Sequence, residues 1–163
     1  MKNLIIVRHC KSSWADLSLS DFDRPLNKRG NIDGELMSNY LRGKEKKIDK
    51  LILSTSKRTR LTSKYFTEKI HFDSISYLDE LYHANYLDII NIISKVENNF
   101  NSIMVIGHNP GLTELINQYT IMNIYNLPTT GVVKVEFKGD KWDRITENKG
   151  IIVYKKFPKE LKL

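Results

Sequence analysis

Short apolar runs alternate along this chain with segments whose apolar positions recur at helical spacing. Residues 4–7, Leu-Ile-Ile-Val, are β-branched, bounded by polar side chains and predict a buried strand. A polar stretch over 11–28 follows, carrying Ser, Asp and Pro. Ile32, Leu36, Met37, Tyr40 and Leu41 then fall three and four apart and stop at Gly43, which predicts a helix. Residues 51–53 predict a second strand, and Leu61, Tyr65 and Phe66 mark the next helix. Residues 75–78 are a third strand candidate, followed by an amphipathic helix through Leu87, Ile90 and Ile93. Residues 103–106 read as a buried strand, and Leu112, Leu115, Ile116 and Tyr119 as the helix after it. Residues 132–137 and 151–154 are closing strands joined through a polar turn at Gly139-Asp140.

The order β-α-β-α-β-α-β-α-β-β predicts an α/β fold of three layers, α/β/α, with a mostly parallel central sheet and helices on both faces. Ligands in such sheets bind beyond the carboxyl ends of the strands. His9, Ser54 and His108 all follow or end predicted strands, so three strands should deliver side chains to one crevice. There is no repeat, low-complexity tract or linker, and 163 residues suggest one domain over 1–163.

Composition narrows the class. Hydrophobic residues make up 40%, enough for a core, and no apolar run approaches the roughly 20 residues of a membrane span. With no leader-like segment at the N-terminus, we expect a cytoplasmic protein without a membrane partner. The lone cysteine, Cys10, fits a reducing compartment. The net charge of +7 comes largely from scattered lysines, densest over 44–50 and 155–162, and reads as a solvated surface with a basic tail. The sharper alternative is a field that attracts anionic substrates or partners. No aromatic RNP sequence or zinc finger is present, and no nucleic-acid partner is expected.

Two strand ends carry the chemistry. Arg8-His9 closes the first, and Gly107-His108 closes a later one, with Asn109-Pro110-Gly111 directly after it. Neutral imidazole is a nucleophile near pH 7, suited to accepting a phosphoryl group. Arg8 and Arg58 offer forked donors that match phosphate oxygens, and a protonated His108 would add another. A helix starting near Pro110, with Asn109 as N-cap, would aim its N-terminus at the site. Together these charges would do the work of a metal ion. Other phosphate chemistries fail on spacing. A cysteine phosphatase loop needs Arg six positions after its Cys, and Asp16 stands there. There is no Walker loop and no zinc-like spacing, so we expect no metal and no cofactor. His71 and His83 lack such context and read as surface or packing residues, and Thr129-Thr130-Gly131 reads as a turn, with hydroxyls or backbone brought near the site as the alternative.

These residues carry a resemblance. Arg8-His9 after an apolar strand resembles the first signature of the histidine phosphatase (phosphoglycerate-mutase-like) superfamily. Ser54-x-x-x-Arg58-Thr-x-x-Thr62 is similar to its second motif, whose arginine binds phosphate. Gly107-His108-Asn109-Pro110-Gly111 resembles the motif of its second catalytic histidine. Asp23-Arg24-Pro25-Leu26, with Arg29-Gly30, is similar to the form in small SixA-type phosphohistidine phosphatases. The motifs run in order over nearly the whole chain. One departs: the family usually has Gly after the first His, where this chain has Cys10. A tolerated small residue is the simpler reading, and a redox-sensitive thiol the other.

The resemblance implies a metal-independent phosphatase without a large cap insertion. His9 would be the nucleophile, and Arg8, Arg58 and His108 would hold the phosphoryl group. Glu80 is the candidate proton donor, with Asp79 its rival and a plain surface carboxylate the alternative. Arg24 and Asn109 are candidate substrate contacts, with a structural salt bridge the alternative for Arg24. The implied substrate is phosphohistidine on a signalling or phosphocarrier protein. The alternatives are a phosphatase of small phosphomonoesters and a non-catalytic phosphate- or phosphoprotein-binding module.

Overall fold

The computed structural model describes residues 1–162 and builds one six-stranded sheet in the order β3-β2-β4-β1-β5-β6. Four strands run parallel: β1 (Lys2–Arg8), β2 (Lys47–Ser54), β3 (His71–Leu78) and β4 (Ser102–Gly107). β5 (Val132–Phe137) lies antiparallel on β1, and β6 (Ile151–Lys156) antiparallel on β5.

Alternation along the strands divides the core into two layers. Ile5, Val7, Leu51, Leu53, Met104 and Ile106 face Met37 and Leu41 of α1 (Lys28–Lys44) and Phe66 of α2 (Lys57–Thr67). Leu4, Ile6, Ile52, Ile103 and Val105 face the other way, onto α3 (Tyr86–Ser94) and α4 (Gly111–Tyr119). The central strands are buried on both faces, so they read as continuous apolar runs. The expected three-layer, mostly parallel α/β architecture is what the chain adopts. Among the described residues, no helix is long and apolar enough to cross a membrane.

The differences lie at element ends. β3 begins at His71, ahead of the apolar run at 75, because it is an edge strand whose side chains alternate between exposed and half-buried. Polar His71 and Asp73 therefore fit its solvent side. β2 likewise starts at Lys47. Helix α4 starts at Gly111, with Pro110 preceding it rather than opening it. Three 3-10 turns, Asp21–Asp23, Asp79–Leu81 and Trp142–Glu147, carry too few residues to show a period.

Two devices fix the first strand. At its carboxyl end the first turn of α1 is pressed against the chain after His9. The Asn27 N–H donates to Lys11 O at 3.0 Å, and Asn27 Oδ1 caps the helix from the Gly30 N–H at 2.8 Å. A Cβ on Gly30 would lie 2.2 Å from Lys11 O, so only glycine permits this approach. At the amino end the fully buried Lys2 ammonium donates to Asn98 O (2.7 Å), Phe100 O (2.8 Å) and Asn101 Oδ1 (3.0 Å), tying β1 to the loop before β4. Burial pushes this amine below its ordinary value, with Asp140 and Asp49 opposing. Replacing Lys2 with Met would strand three acceptors. We expect it to cost about 2–4 kcal/mol of stability, read as a lower urea midpoint at unchanged m-value.

Candidate active site

The parallel register pairs Arg8 with Gly107, which brings the residues after them side by side. The His9 and His108 ring centroids lie 5.1 Å apart. Backbone bonds lock the junction. The His9 N–H donates to Gly107 O (3.1 Å), and the Thr130 N–H reaches both Arg8 O (2.9 Å) and His9 O (3.2 Å). Between these ends opens a cavity of about 230 Å³, lined by Arg8, His9, Lys11, Ser12, Arg24 and Arg58, with His83, His108, Asn109 and Thr129 completing the wall. It is large enough for a phosphoryl group and small beside a cleft that encloses a whole small molecule. Among the described residues lining it, none is a carboxylate.

Hydrogen bonds assign the tautomers. His9 Nδ1 lies 2.8 Å from Cys10 O, and a carbonyl only accepts, so Nδ1 carries the proton. That leaves Nε2 of His9 with a lone pair. Ser54 Oγ accepts from the Ser56 N–H at 3.2 Å and lies 3.0 Å from His108 Nε2, to which its own proton can be given. With Nε2 accepting, His108 carries its proton on Nδ1, which is buried with no hydrogen-bond partner among the described residues. Arg8 Nε–H is buried and unpartnered in the same way, while Arg8 Nη1 donates to Leu127 O at 3.1 Å.

The arginines are held from outside the cavity. Arg58 donates from Nη1 to Asp21 O (2.7 Å) and from Nη2 to Asp21 Oδ2 (3.0 Å). Asp21 Oδ1 takes Arg24 Nη1 at 2.9 Å, and its other oxygen accepts a short hydrogen bond from the Tyr82 hydroxyl. Burial alone would raise the Asp21 carboxyl, but hydrogen bonds from Tyr82, Arg58 and Arg24 outweigh it and hold the group well below the usual carboxylate range. Asp21 escaped the sequence reading. Its three-residue spacing from Arg24 was a local signal for that pair, but nothing local pointed to Arg58 or Tyr82.

The structure brings His9, Arg8, Arg58 and His108 together. Glu80 it does not: this residue is exposed in the 3-10 turn Asp79–Leu81 and does not line the cavity. Asp79 is occupied with the Thr55 hydroxyl at 2.5 Å. Arg24 lines the cavity, yet its donors go to Ser13 O (3.0 Å), Ser12 Oγ and Asp21, and its plane stacks on Trp14 at 3.3 Å. Asn109 also lines it, with both ends of its amide spent on Leu127 O (2.8 Å), Asn126 Oδ1 (2.9 Å) and Thr113. It is a strut between the strand end and α4, and it does not cap that helix at the expected position. Cys10 is fully buried, its backbone N–H bonded to Thr62 Oγ1 at 2.9 Å. Burial pushes its thiol up, against the Thr130 and Thr62 hydroxyls, so the reactive thiolate is disfavoured. Thr130 does more than turn the chain: φ is +61°, unusual for a β-branched side chain, where its N–H closes on the end of β1. His83, expected as a surface or packing residue, is exposed and also lines the cavity.

Burial pushes His9 well below the ordinary imidazole value, with the Cys10 carbonyl opposing and His108, Arg58 and Arg8 adding to the depression. Burial, then Arg58 and His83, bring His108 down to about 3. Both rings are neutral in the folded chain at pH 7. Below about 6.5 the unfolded chain binds protons that the folded chain refuses, so stability falls with falling pH, by up to about 1.4 kcal/mol per pH unit for each ring. Unfolding midpoints in urea should drop between pH 7 and pH 5, and a rise would contradict neutral histidines. Gly111 is the second glycine that must be glycine: a Cβ there would sit 2.2 Å from Ala84 O. Gly111→Ala should displace the segment around His83 and cost about 1–3 kcal/mol, read as a lower thermal midpoint.

Known proteins share this fold. The sequence profile of the histidine phosphatase superfamily (branch 1) matches residues 4–100. An uncharacterised chloroplastic protein of Arabidopsis thaliana is 30% identical over 152 residues, covering 87% of this chain and 69% of its own length. An uncharacterised protein of Mycobacterium tuberculosis is 32% identical over 110 residues, 67% of this chain and 66% of that one. The protein histidine phosphatase SixA, solved with tungstate, superposes with a TM-score of 0.83 at 22% identity, over 98% of this chain and 99% of that chain. SixA from Agrobacterium tumefaciens gives 0.82 at 22%, over 96% and 98%. The phosphoserine phosphatase of Entamoeba histolytica follows at 0.65 and 15%, over 99% and 100%. With the profile covering more than half its residues, the chain belongs to the histidine phosphatase superfamily, branch 1, and is a hydrolase.

Proposed function

We propose that the chain dephosphorylates phosphohistidine on a protein through a phosphoenzyme formed on His9. One observation carries this reading. Two buried nitrogens, Arg8 Nε and His108 Nδ1, belong to residues of one small cavity beside His9 and have no partner among the described residues. Leaving a buried donor unmatched costs about 1–3 kcal/mol, a cost that function explains when an anion is the missing acceptor. Non-bridging phosphoryl oxygens are such acceptors.

The steps follow from the tautomers. His9 Nε2 attacks phosphorus, with Nδ1–H held on Cys10 O so that the ring keeps its orientation. Charge on the equatorial oxygens is met by Arg8, the remaining donors of Arg58 and the neutral His108 Nδ1–H. His108 acts here as a neutral donor rather than as the imidazolium expected from sequence. Water then attacks the phosphohistidine, the P–N bond breaks, and its electron pair returns to Nε2. Four cationic side chains at the cavity, Arg8, Lys11, Arg24 and Arg58, supply the charge that a metal supplies elsewhere.

Two features favour a protein substrate. The cavity admits a phosphoryl group without enclosing the rest of a small molecule. Beside it runs a polar loop that exposes two large apolar side chains, Trp14, which is stacked on Arg24, and Leu17, 86% exposed, which suits a protein surface better than a sugar.

Brief reaction with a labelled phosphohistidine protein, followed by quenching, should trap an acid-labile, base-stable phosphoenzyme that His9→Ala abolishes. That protein should be turned over with a higher kcat/KM than sugar phosphates or p-nitrophenyl phosphate. The reverse order would assign the site to small phosphomonoesters. No adduct and no turnover on any phosphorylated substrate would leave a binding module.

A further inference from the structure

His83 stands apart from the residues that the motifs account for. It has φ +60°, one of two non-glycine residues with positive φ among those described. A left-handed histidine is strained and persists only where its surroundings dictate it. They do so here. Leu81 and Ala84 on either side are buried, the Ala84 N–H donates to Leu81 O at 3.3 Å, and Gly111 leaves just the space that Ala84 O fills. Gly111 belongs to the same motif as His108, so the segment that strains His83 is braced by the element that carries the second site histidine.

The strain places an imidazole at the cavity mouth. The His83 side chain is 64% exposed, yet it lines the cavity, with its centroid 6.1 Å from that of His108. Its ring packs on Tyr82 at 3.9 Å. Nε2 faces Asp21 Oδ2 at 3.8 Å, an ion-pairing distance when the ring is charged. The other nitrogen makes no hydrogen bond to the described residues. The charged and titratable groups around it are Asp21 from the 3-10 turn Asp21–Asp23, the adjacent Tyr82, His108 from the end of β4, and Arg58 through Asp21. Among these, Asp21 is the lone carboxylate, and it is committed to Arg24, Arg58 and Tyr82. Glu80 is elsewhere. His83 is thus the exposed imidazole of the cavity wall, with a carboxylate within ion-pairing reach of one nitrogen and the other nitrogen unengaged.

We propose that His83 is the general acid–base of the phosphoryl transfer, with Asp21 as the residue that positions it. The proposal rests on the phosphatase reading above. In the first half-reaction a bond forms between His9 Nε2 and phosphorus, and the bond from phosphorus to the leaving oxygen or nitrogen breaks. Its electron pair stays on that leaving atom, which takes the proton from His83 imidazolium. In the second, water oxygen bonds to phosphorus and gives a proton to neutral His83. The P–N bond breaks, its pair returns to His9 Nε2, and phosphate leaves with the imidazolium restored.

The test is a series of aryl phosphates whose phenols span a range of acidity. An acid matters little when the leaving phenolate is stable and greatly when it is not. In His83→Gln and His83→Gly, kcat/KM should fall only a few-fold for 4-nitrophenyl phosphate but by about 10²–10⁴ for phenyl phosphate, which steepens the dependence on phenol acidity. Because glycine adopts positive φ freely, His83→Gly should keep or raise the thermal midpoint. Added imidazole should then restore phenyl phosphate turnover in that variant. An equal loss across the series, or no loss, overturns the proposal, as does a steepened series in His83→Gly with no response to imidazole. His9→Ala separates the two readings. It removes turnover of every substrate if the phosphoenzyme reading is right, whatever His83 does. A wild type that neither labels on His9 nor turns over any phosphate removes that reading and this proposal with it.

Discussion

The register of two parallel strands governs everything at this site. β1 and β4 pair with Arg8 opposite Gly107, so His9 and His108 leave the sheet together. A slip by one residue would turn each side chain of β1 to the opposite face and carry Arg8 away from the cavity. The two core layers oppose such a slip, because Leu4 and Ile6 belong to one and Ile5 and Val7 to the other. Lys2 pins the strand at its start, and the Thr130 N–H closes it at its end. Precision at the carboxyl edge is therefore inherited from burial and backbone pairing in the middle of the sheet.

Electrostatics sets the second constraint. Arg8 sits within reach of Arg29 and Arg58, and burial, then those charges, push it below its ordinary value. A cluster of like charges in a small cavity opposes folding unless something restrains it. Asp21 does so from behind, fixing Arg58 and Arg24 while staying off the cavity wall. The inner surface thus remains free of negative charge, and the arginine forks are oriented by a group that does not compete at the centre.

Much of this was legible in the sequence. Arg8, His9, Arg58 and His108 follow or open regular elements, where periodicity and motif spacing agree, and the order of those elements gave the three-layer sheet. What escaped lies in short irregular segments. Asp21 and Tyr82 are 61 residues apart and meet only through the fold. Glu80 looked well placed because it follows β3, but β3 is an edge strand, and the turn after it carries Glu80 to solvent while Leu81 turns inward. The place of His83 at the cavity carries no sequence signal, because no pattern announces a positive φ outside glycine.

Cys10 closes the account differently. It is the one thiol of the chain, adjoins His9, and is fully buried between β1 and α2, held through Thr62. A thiol reagent reaches it only when the packing behind His9 parts. Its alkylation rate is therefore a clock for the breathing of the site, already built into the protein, which reads local opening without an added label and without touching a group that meets the substrate.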